Sequence, residues 1–202
     1  MKLSDVISLI EFSSLKNFYD MEIRSIQSDS RKVKPGDLFV CISGFSEDGH
    51  VYAADAVKRG ATAVIVEKEL PLPQNVVQIR VPYSRPVLSL LAHEFFGKPT
   101  KSLHVTGITG TNGKSTTAWL TRAILNSMGF RTGLIGTIEY DLIGRKIEAT
   151  RTTPDSIELH GYFAEMLNNG ATHVAMEVSS HSLVLDRVKD VDFDSACFIN
   201  LT

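Results

Sequence analysis

The 202-residue sequence holds only two cysteines, Cys41 and Cys197, and a single tryptophan. Two thiols in separate apolar, strand-like runs cannot staple a small secreted fold, and no Cys/His spacing suggests a metal site. Both read as buried, reduced side chains. Long apolar runs are missing as well. None approaches the ~20 residues that a membrane-spanning helix requires. The N-terminal stretch MKLSDVISLIEF is broken by Asp5, Ser8 and Glu11, which makes a poor signal peptide. Basic blocks are short, the densest being Arg31-Lys32-Val33-Lys34, and the net charge is −2. Neither supplies a global attraction to nucleic acid. Internal repeats and low-complexity segments are absent. What these absences leave is a soluble, cytoplasmic globular protein, and 43% hydrophobic with 22% charged residues matches that class.

What is present is an alternation of strand-like and helix-like segments. The turn signal Pro35-Gly36-Asp37 introduces the apolar run DLFVCI, and the helical stretch HVYAADAVKRG ends at Gly60. The runs ATAVIVE and VVQIRV follow as strands, then a helix from about Arg85 to Phe96. Strand, helix, strand in that order predicts a right-handed parallel crossover. Gly97-Lys98-Pro99 marks the boundary, because Pro99 biases Lys98 away from helix. Beyond it the pattern restarts: strand 102–108, helix 115–128 ending at Gly129, strand region TGLIGTIEY, helix 155–168, strand THVAMEV, and a last strand in FDSACFIN. On the helix from 115, Leu120, Ala123, Ile124 and Met128 share one face, as a helix covering a sheet requires. Two α/β domains are expected, 1–98 and 99–202.

Residues 107–116, GITGTNGKST, resemble a phosphate-binding loop but miss the general G-x-x-x-x-G-K-[ST] spacing by one place. Counting back from Gly113, the first glycine belongs at 108, where Ile stands. The physics survives the mismatch. Gly110 and Gly113 permit left-handed backbone, so loop N–H groups can point at phosphate oxygens, and the helix N-terminus adds partial positive charge. Lys114 is placed for the β- and γ-phosphates and Ser115 for a Mg²⁺ ion. The bland alternative is a glycine-rich turn that happens to precede Lys-Ser. Glu177 closes the apolar strand THVAMEV, a costly place for a carboxylate unless it faces a ligand or caps the next segment.

The string TGTNGKST resembles the nucleotide loop of the Mur ligase superfamily, ATP-dependent enzymes that join a carboxylate to an amine in cell-wall synthesis. SDSRKVKPGDLFVCISG at 28–44, RTTPDSIEL at 151–159 and AMEVSSHSLVLDRV at 175–188 are similar to the branch that adds the third peptide residue. That resemblance implies a small N-terminal α/β substrate domain, followed by a partial P-loop-type doubly wound central ATPase domain. It assigns ATP to Gly110, Thr111, Asn112, Gly113, Lys114, Ser115 and Thr116, Mg²⁺ to Ser115 and Glu177, and catalysis to Lys114 and Glu177. It implies that UDP-N-acetylmuramoyl-L-alanyl-D-glutamate meets Ser28, Ser30, Thr152, Thr153, Ser179 and Arg187. Phe45-Ser46-Glu47 falls in a further contact region. Thr152-Thr153-Pro154-Asp155 also reads simply as a helix start, with Asp155 as cap ahead of Glu158.

One departure is Leu185, where members of this branch often carry Gln. The other is length: the family continues into a second Mg²⁺ ligand, a modified lysine and a domain for the incoming amino acid, diaminopimelate or lysine. The chain by itself is therefore expected not to complete a ligation, and its unfinished sheet is expected to expose an apolar edge. A folylpolyglutamate synthetase relative and a non-catalytic sugar-nucleotide-binding module stay open as readings. His181 lies close to the implied site, with a solvent-facing role equally open. His50, His93, His104, His160 and His173 show no ligand spacing and read as surface or half-buried residues.

Overall fold

A computed structural model describes residues 1–44 and 47–201. Phe45 and Ser46 of the expected contact loop lie outside the described residues. The backbone separates into two compact units, Met1–Leu91 and Ala92–Thr202. In the first unit come α1 (Leu3–Leu9), β1 (Ser14–Lys16), β2 (Ile26–Gln27), β3 (Leu38–Val40), α2 (Ala53–Lys58), β4 (Ala63–Val66) and β5 (Val77–Arg80). The sheet order is β1-β5-β4-β3-β2, parallel throughout except for β1 against β5. Strands β3 and β4 are buried at every position, which is why they read as unbroken apolar runs rather than alternating ones. Gly60 takes φ +111° below α2, and a Cβ there would stand 2.7 Å from the Pro35 backbone. α1, β1 and β2 escape a reading by periodicity because each is too short to show one.

α3 (Ser84–Phe95) straddles the division between the units. The second unit then holds β6 (His104–Thr109), α4 (Lys114–Ser127), β7 (Thr132–Ile135), β8 (Glu139–Asp141), β9 (Lys146–Glu148), α5 (Ser156–Asn168), β10 (His173–Glu177), α6 (Ser180–Val184) and β11 (Ser195–Phe198). Its sheet order is β11-β6-β10-β7-β8-β9, parallel from β11 to β7 and antiparallel beyond. The expected single strand TGLIGTIEY is split at Gly136 into β7 and β8. α5 buries Leu159, Phe163 and Met166 in a core shared with Val105, Ile135, Val174 and Met176.

Three expectations are corrected. The Leu120–Ala123–Ile124–Met128 face of α4 does not cover the sheet: Leu120, Ile124 and Met128 are more than half exposed, and Ala118 is the buried position. The inward side of α4 instead carries Ser115, which meets Glu177, and Ala118 one turn on. Cys197 is exposed rather than buried, because β11 is the edge strand among the described residues and all four of its positions face solvent. And His50, His93 and His160 are buried, not half-exposed.

The two thiols consequently differ in reactivity. Burial pushes the Cys41 thiol up to about 12, and the thiolate is the reacting species. Cys197 alone is expected to be labelled by Ellman's reagent in the folded chain at pH 8, with Cys41 following only in denaturant. Release of two equivalents under native conditions contradicts this burial.

Candidate active site

β6 delivers the chain into the glycine loop. Gly110 has φ +145° and Gly113 φ +87°. Gly113 is the N-cap of α4 in left-handed backbone, with no side-chain cap on the first helical N–H groups. Those donors, with the helix dipole behind them, form an anion-binding terminus. Lys114 folds back across the loop and donates Nζ to the carbonyl oxygens of Gly110 at 2.7 Å and Thr111 at 3.1 Å. Asn200 braces the loop from beyond β11. Its carbonyl accepts from Thr111 N–H at 3.1 Å, its Oδ1 from Asn112 N–H at 3.1 Å, and its Nδ2 donates to Asn112 O at 3.1 Å. Close approach explains Gly110, where a Cβ would lie 3.0 Å from Asn200 O.

Glu177, 1% exposed, ends β10 beside this loop. The parallel register places Glu177 opposite Ile108 on β6. Its Oε2 accepts from Ser115 Oγ at 3.0 Å and from Thr137 Oγ1 at 3.1 Å, while Oε1 accepts from Thr137 N–H at 2.8 Å. These donors are two hydroxyls and an amide, none of them charged. A buried carboxylate held only by neutral donors retains a strong attraction for a cation. The cap of α6 is Ser179, which accepts from Ser182 N–H at 3.2 Å, so Glu177 is not a capping residue.

Thr152, Thr153, Ser179 and Arg187 gather around the same strand end. Thr137 Oγ1 lies 3.1 Å from Thr152 Oγ1. Thr153, 1% exposed, donates Oγ1–H to Glu177 O at 2.9 Å and accepts from Ser179 N–H at 3.1 Å. Arg187 donates Nη1–H to Thr153 O at 3.0 Å. Asp155 does cap α5, accepting from Glu158 N–H at 3.0 Å. The helix-start account is thus correct for Asp155, while Thr152 meets Thr137 in the turn after β7 and Thr153 meets Glu177 at the end of β10. His181 is exposed on α6 and Leu185 is half-buried.

In the first unit, Ser28, Ser30, Arg31, Glu47, Tyr52 and Asp55 line a cleft of about 640 Å³. Asp29 caps a short 3-10 turn at Ser30–Lys32, accepting from Arg31 N–H at 3.0 Å. The Arg31 guanidinium, bonded to the same carboxylate, holds Asp29 below its ordinary value. Tyr52 donates its hydroxyl to Glu47 at 2.9 Å across the cleft. The cleft is polar and open, suited to a hydrogen-bonding ligand rather than an apolar one.

Gly136, Thr137 and Asn200 were missed from the sequence. Gly136 carried a signal, a glycine interrupting an apolar strand run. Thr137 and Asn200 carried none, because their roles depend on β7 ending beside β10 and on β11 ending beside β6.

Comparison with known proteins adds to this geometry. A family model described as "Mur ligase family, catalytic domain" matches residues 22–96, and one described as "Mur ligase middle domain" matches residues 108–202. The UDP-N-acetylmuramoyl-L-alanyl-D-glutamate–2,6-diaminopimelate ligases of Clostridium perfringens and Solibacter usitatus are 41% and 45% identical over the whole of this chain. The chain spans about two fifths of the length of these curated relatives, 42% and 41% respectively. A solved structure of a ligase of the same name superposes with a TM-score of 0.76 at 27% identity, covering 89% of this chain and 37% of that one. The MurF ligase of Thermotoga maritima in complex with ADP has the same fold, with a TM-score of 0.57 at 24% identity over 88% of this chain and 37% of its own.

Proposed function

The chain belongs to the Mur ligase family, and on that premise we propose that it is the nucleotide- and sugar-nucleotide-binding portion of a ligase of peptidoglycan-precursor synthesis. The reaction is the ATP-dependent addition of the third peptide residue to UDP-N-acetylmuramoyl-L-alanyl-D-glutamate through an acyl phosphate. The acceptor carried over from the names of its relatives is diaminopimelate. Residues 1–98 serve as the sugar-nucleotide domain, and 99–202 belong to the ATP-binding domain. We place the protein in the cytoplasm, where ATP and nucleotide sugars are available; no helix among the described residues is long and apolar enough to cross a membrane.

The observation that carries this reading is the 3.0 Å bond between Ser115 Oγ and Glu177 Oε2, which joins the glycine loop to a buried strand-end carboxylate. A carboxylate is a poor electrophile, so amide formation needs phosphoryl transfer first, and that transfer needs positioning and charge neutralisation. The loop Gly110–Thr116 cradles the nucleotide phosphates, with the N–H groups at the start of α4 turned to them. Lys114 exchanges the loop carbonyls for phosphate oxygens. Ser28 and Ser30 hold the uridine end; Thr152, Thr153, Ser179 and Arg187 hold the muramoyl-peptide part through hydroxyls and a guanidinium.

Ser115 and Glu177 fit a Mg²⁺ ion. Both are hard oxygen donors, and this ion takes one or two protein oxygens while phosphates and water complete its octahedron. Among the described residues no cluster of three or more His, Cys, Asp or Glu forms a closed metal cage. The chemistry a bound Mg²⁺ ion supplies is neutralisation of charge on the transferring phosphoryl group.

Calorimetric titration tests the assignment. The chain is expected to bind Mg²⁺-ATP and, separately, UDP-N-acetylmuramoyl-L-alanyl-D-glutamate, and to ignore folates. Lys114→Ala is expected to weaken nucleotide binding by roughly tenfold or more, the value of a charge-assisted contact, while sugar-nucleotide binding is retained. Folate binding in place of the sugar nucleotide would redirect the assignment to the folylpolyglutamate branch.

A further inference from the structure

We propose that Thr137 is a positioning residue that relays the state of Glu177 to Thr152, coupling the nucleotide side of the site to the sugar-nucleotide side. The inference rests on the assignment above, because it takes Glu177 as the cation carboxylate and Thr152 as a substrate contact.

The geometry is that of a switchable hydroxyl. The backbone N–H of Thr137 is anchored on Glu177 Oε1 at 2.8 Å, which fixes the residue in place. Its Oγ1 lies 3.1 Å from Glu177 Oε2 and also 3.1 Å from Thr152 Oγ1. A hydroxyl has one proton to give and two lone pairs to accept with. Thr137 can therefore donate to only one of these two oxygens at a time. Thr137 is an exposed residue.

The charged oxygen is the better acceptor, since charge-assisted bonds are about twice as strong as neutral ones. With Glu177 free of a cation, Thr137 gives its proton to Glu177 Oε2. Thr152 then turns its own O–H inward, to the lone pair of Thr137 Oγ1. A divalent cation held by Glu177 would neutralise its charge and make it the weaker of the two acceptors. Thr137 now donates to Thr152 Oγ1, and the Thr152 proton is released toward an acceptor on the substrate. No atom moves by more than a rotation about a C–O bond. The backbone anchor keeps the relay aligned in both states.

A purely structural Thr137 would only hold β10 against the β7–β8 turn. Removing its hydroxyl would then lower stability and leave the two ligands as strongly coupled as before. The relay makes a different demand: it carries linkage between two ligands, and linkage is reciprocal.

The test measures UDP-N-acetylmuramoyl-L-alanyl-D-glutamate binding to the 202-residue chain by calorimetry, with and without saturating Mg²⁺-ADP. The wild-type chain is expected to bind the sugar nucleotide about five- to tenfold more tightly when Mg²⁺-ADP is present, the value of one gained hydrogen bond. Thr137→Val keeps the branched side chain and the backbone anchor, and is expected to bring that ratio close to one. Thr137→Ser is expected to restore it. Thr152→Val is expected to lose the same ratio, and Thr137→Val combined with Thr152→Val to lose no more than either alone. Full coupling in Thr137→Val, or independent binding of the two ligands in the wild type, overturns the relay and leaves the ligase assignment standing. A wild-type chain that binds neither ligand overturns the ligase assignment and the relay with it. Coupling lost in Thr137→Val and restored in Thr137→Ser supports the relay even if both variants melt earlier.

Discussion

Gly136→Ala is expected to cost the protein its Mg²⁺-dependent nucleotide binding without touching the glycine loop. Gly136 is buried between β7 and β8, and a Cβ on it would stand 2.5 Å from Glu177 Oε1 and 3.4 Å from its carboxyl carbon. Real contacts of that length do not occur, so the carboxylate must leave. The Thr137 N–H and Ser115 bonds go with it, and the proposed cation position collapses. Mg²⁺-ATP affinity measured by calorimetry is expected to fall at least tenfold, with about 1–3 kcal/mol of stability lost to overpacking. Because the clash is with one side chain, Glu177→Ala in the Gly136→Ala background is expected to recover most of that stability. Binding remains lost in the double variant. A Gly136→Ala chain that binds Mg²⁺-ATP as tightly as wild type would falsify the placement of Glu177.

The second large effect is on stability in acid. His160 lies on the core face of α5 with 0% exposure, its ring centroid 5.1 Å from that of His93, and it packs edge-on against Phe163. Neither ring nitrogen of His160, nor Nδ1 of His93, has a hydrogen-bond partner. Asp192 lies 3.9 Å from Nε2 of His93. Burial, with the His93 ring adding to it, pushes the His160 imidazole down from 6.5 to about 3. The unfolded chain therefore takes up a proton at this residue below pH 6.5 that the folded chain refuses until about pH 3. Its contribution to stability is complete above the unfolded value and is lost as pH falls through that window. Between pH 7 and pH 5 the loss is about 2 kcal/mol. Urea unfolding at the two pH values measures it, and His160→Leu is expected to remove most of the difference. An equal pH dependence in His160→Leu would place the acid sensitivity elsewhere.

Much of the fold was legible because it follows from local chemistry. Unbroken apolar runs such as ATAVIVE read as buried parallel strands, and Gly60, Gly129 and Asp155 punctuate their helices. Elements of two or three residues, such as β1 and β2, carry no period and were invisible. The site was legible in parts. Gly110, Gly113, Lys114 and Ser115 are contiguous, so one loop announces them, and Glu177 stands out as a carboxylate closing an apolar strand.

Sequence alone determined the alternation of strands and helices, the glycine loop at a helix start, and the family. These rest on chemistry between near neighbours in the chain, where spacing carries the information. Tertiary structure alone decided which face of α4 turns inward: Ser115 meets Glu177 across 62 residues of chain, while Leu120, Ile124 and Met128 stay exposed. It also decided that Gly136 and Thr137 lie against Glu177, that Asn200 braces the loop, that Cys197 is exposed, and that two histidines meet in the core. Each of these depends on strands far apart in sequence ending side by side in one sheet, and no local pattern encodes which strands those are.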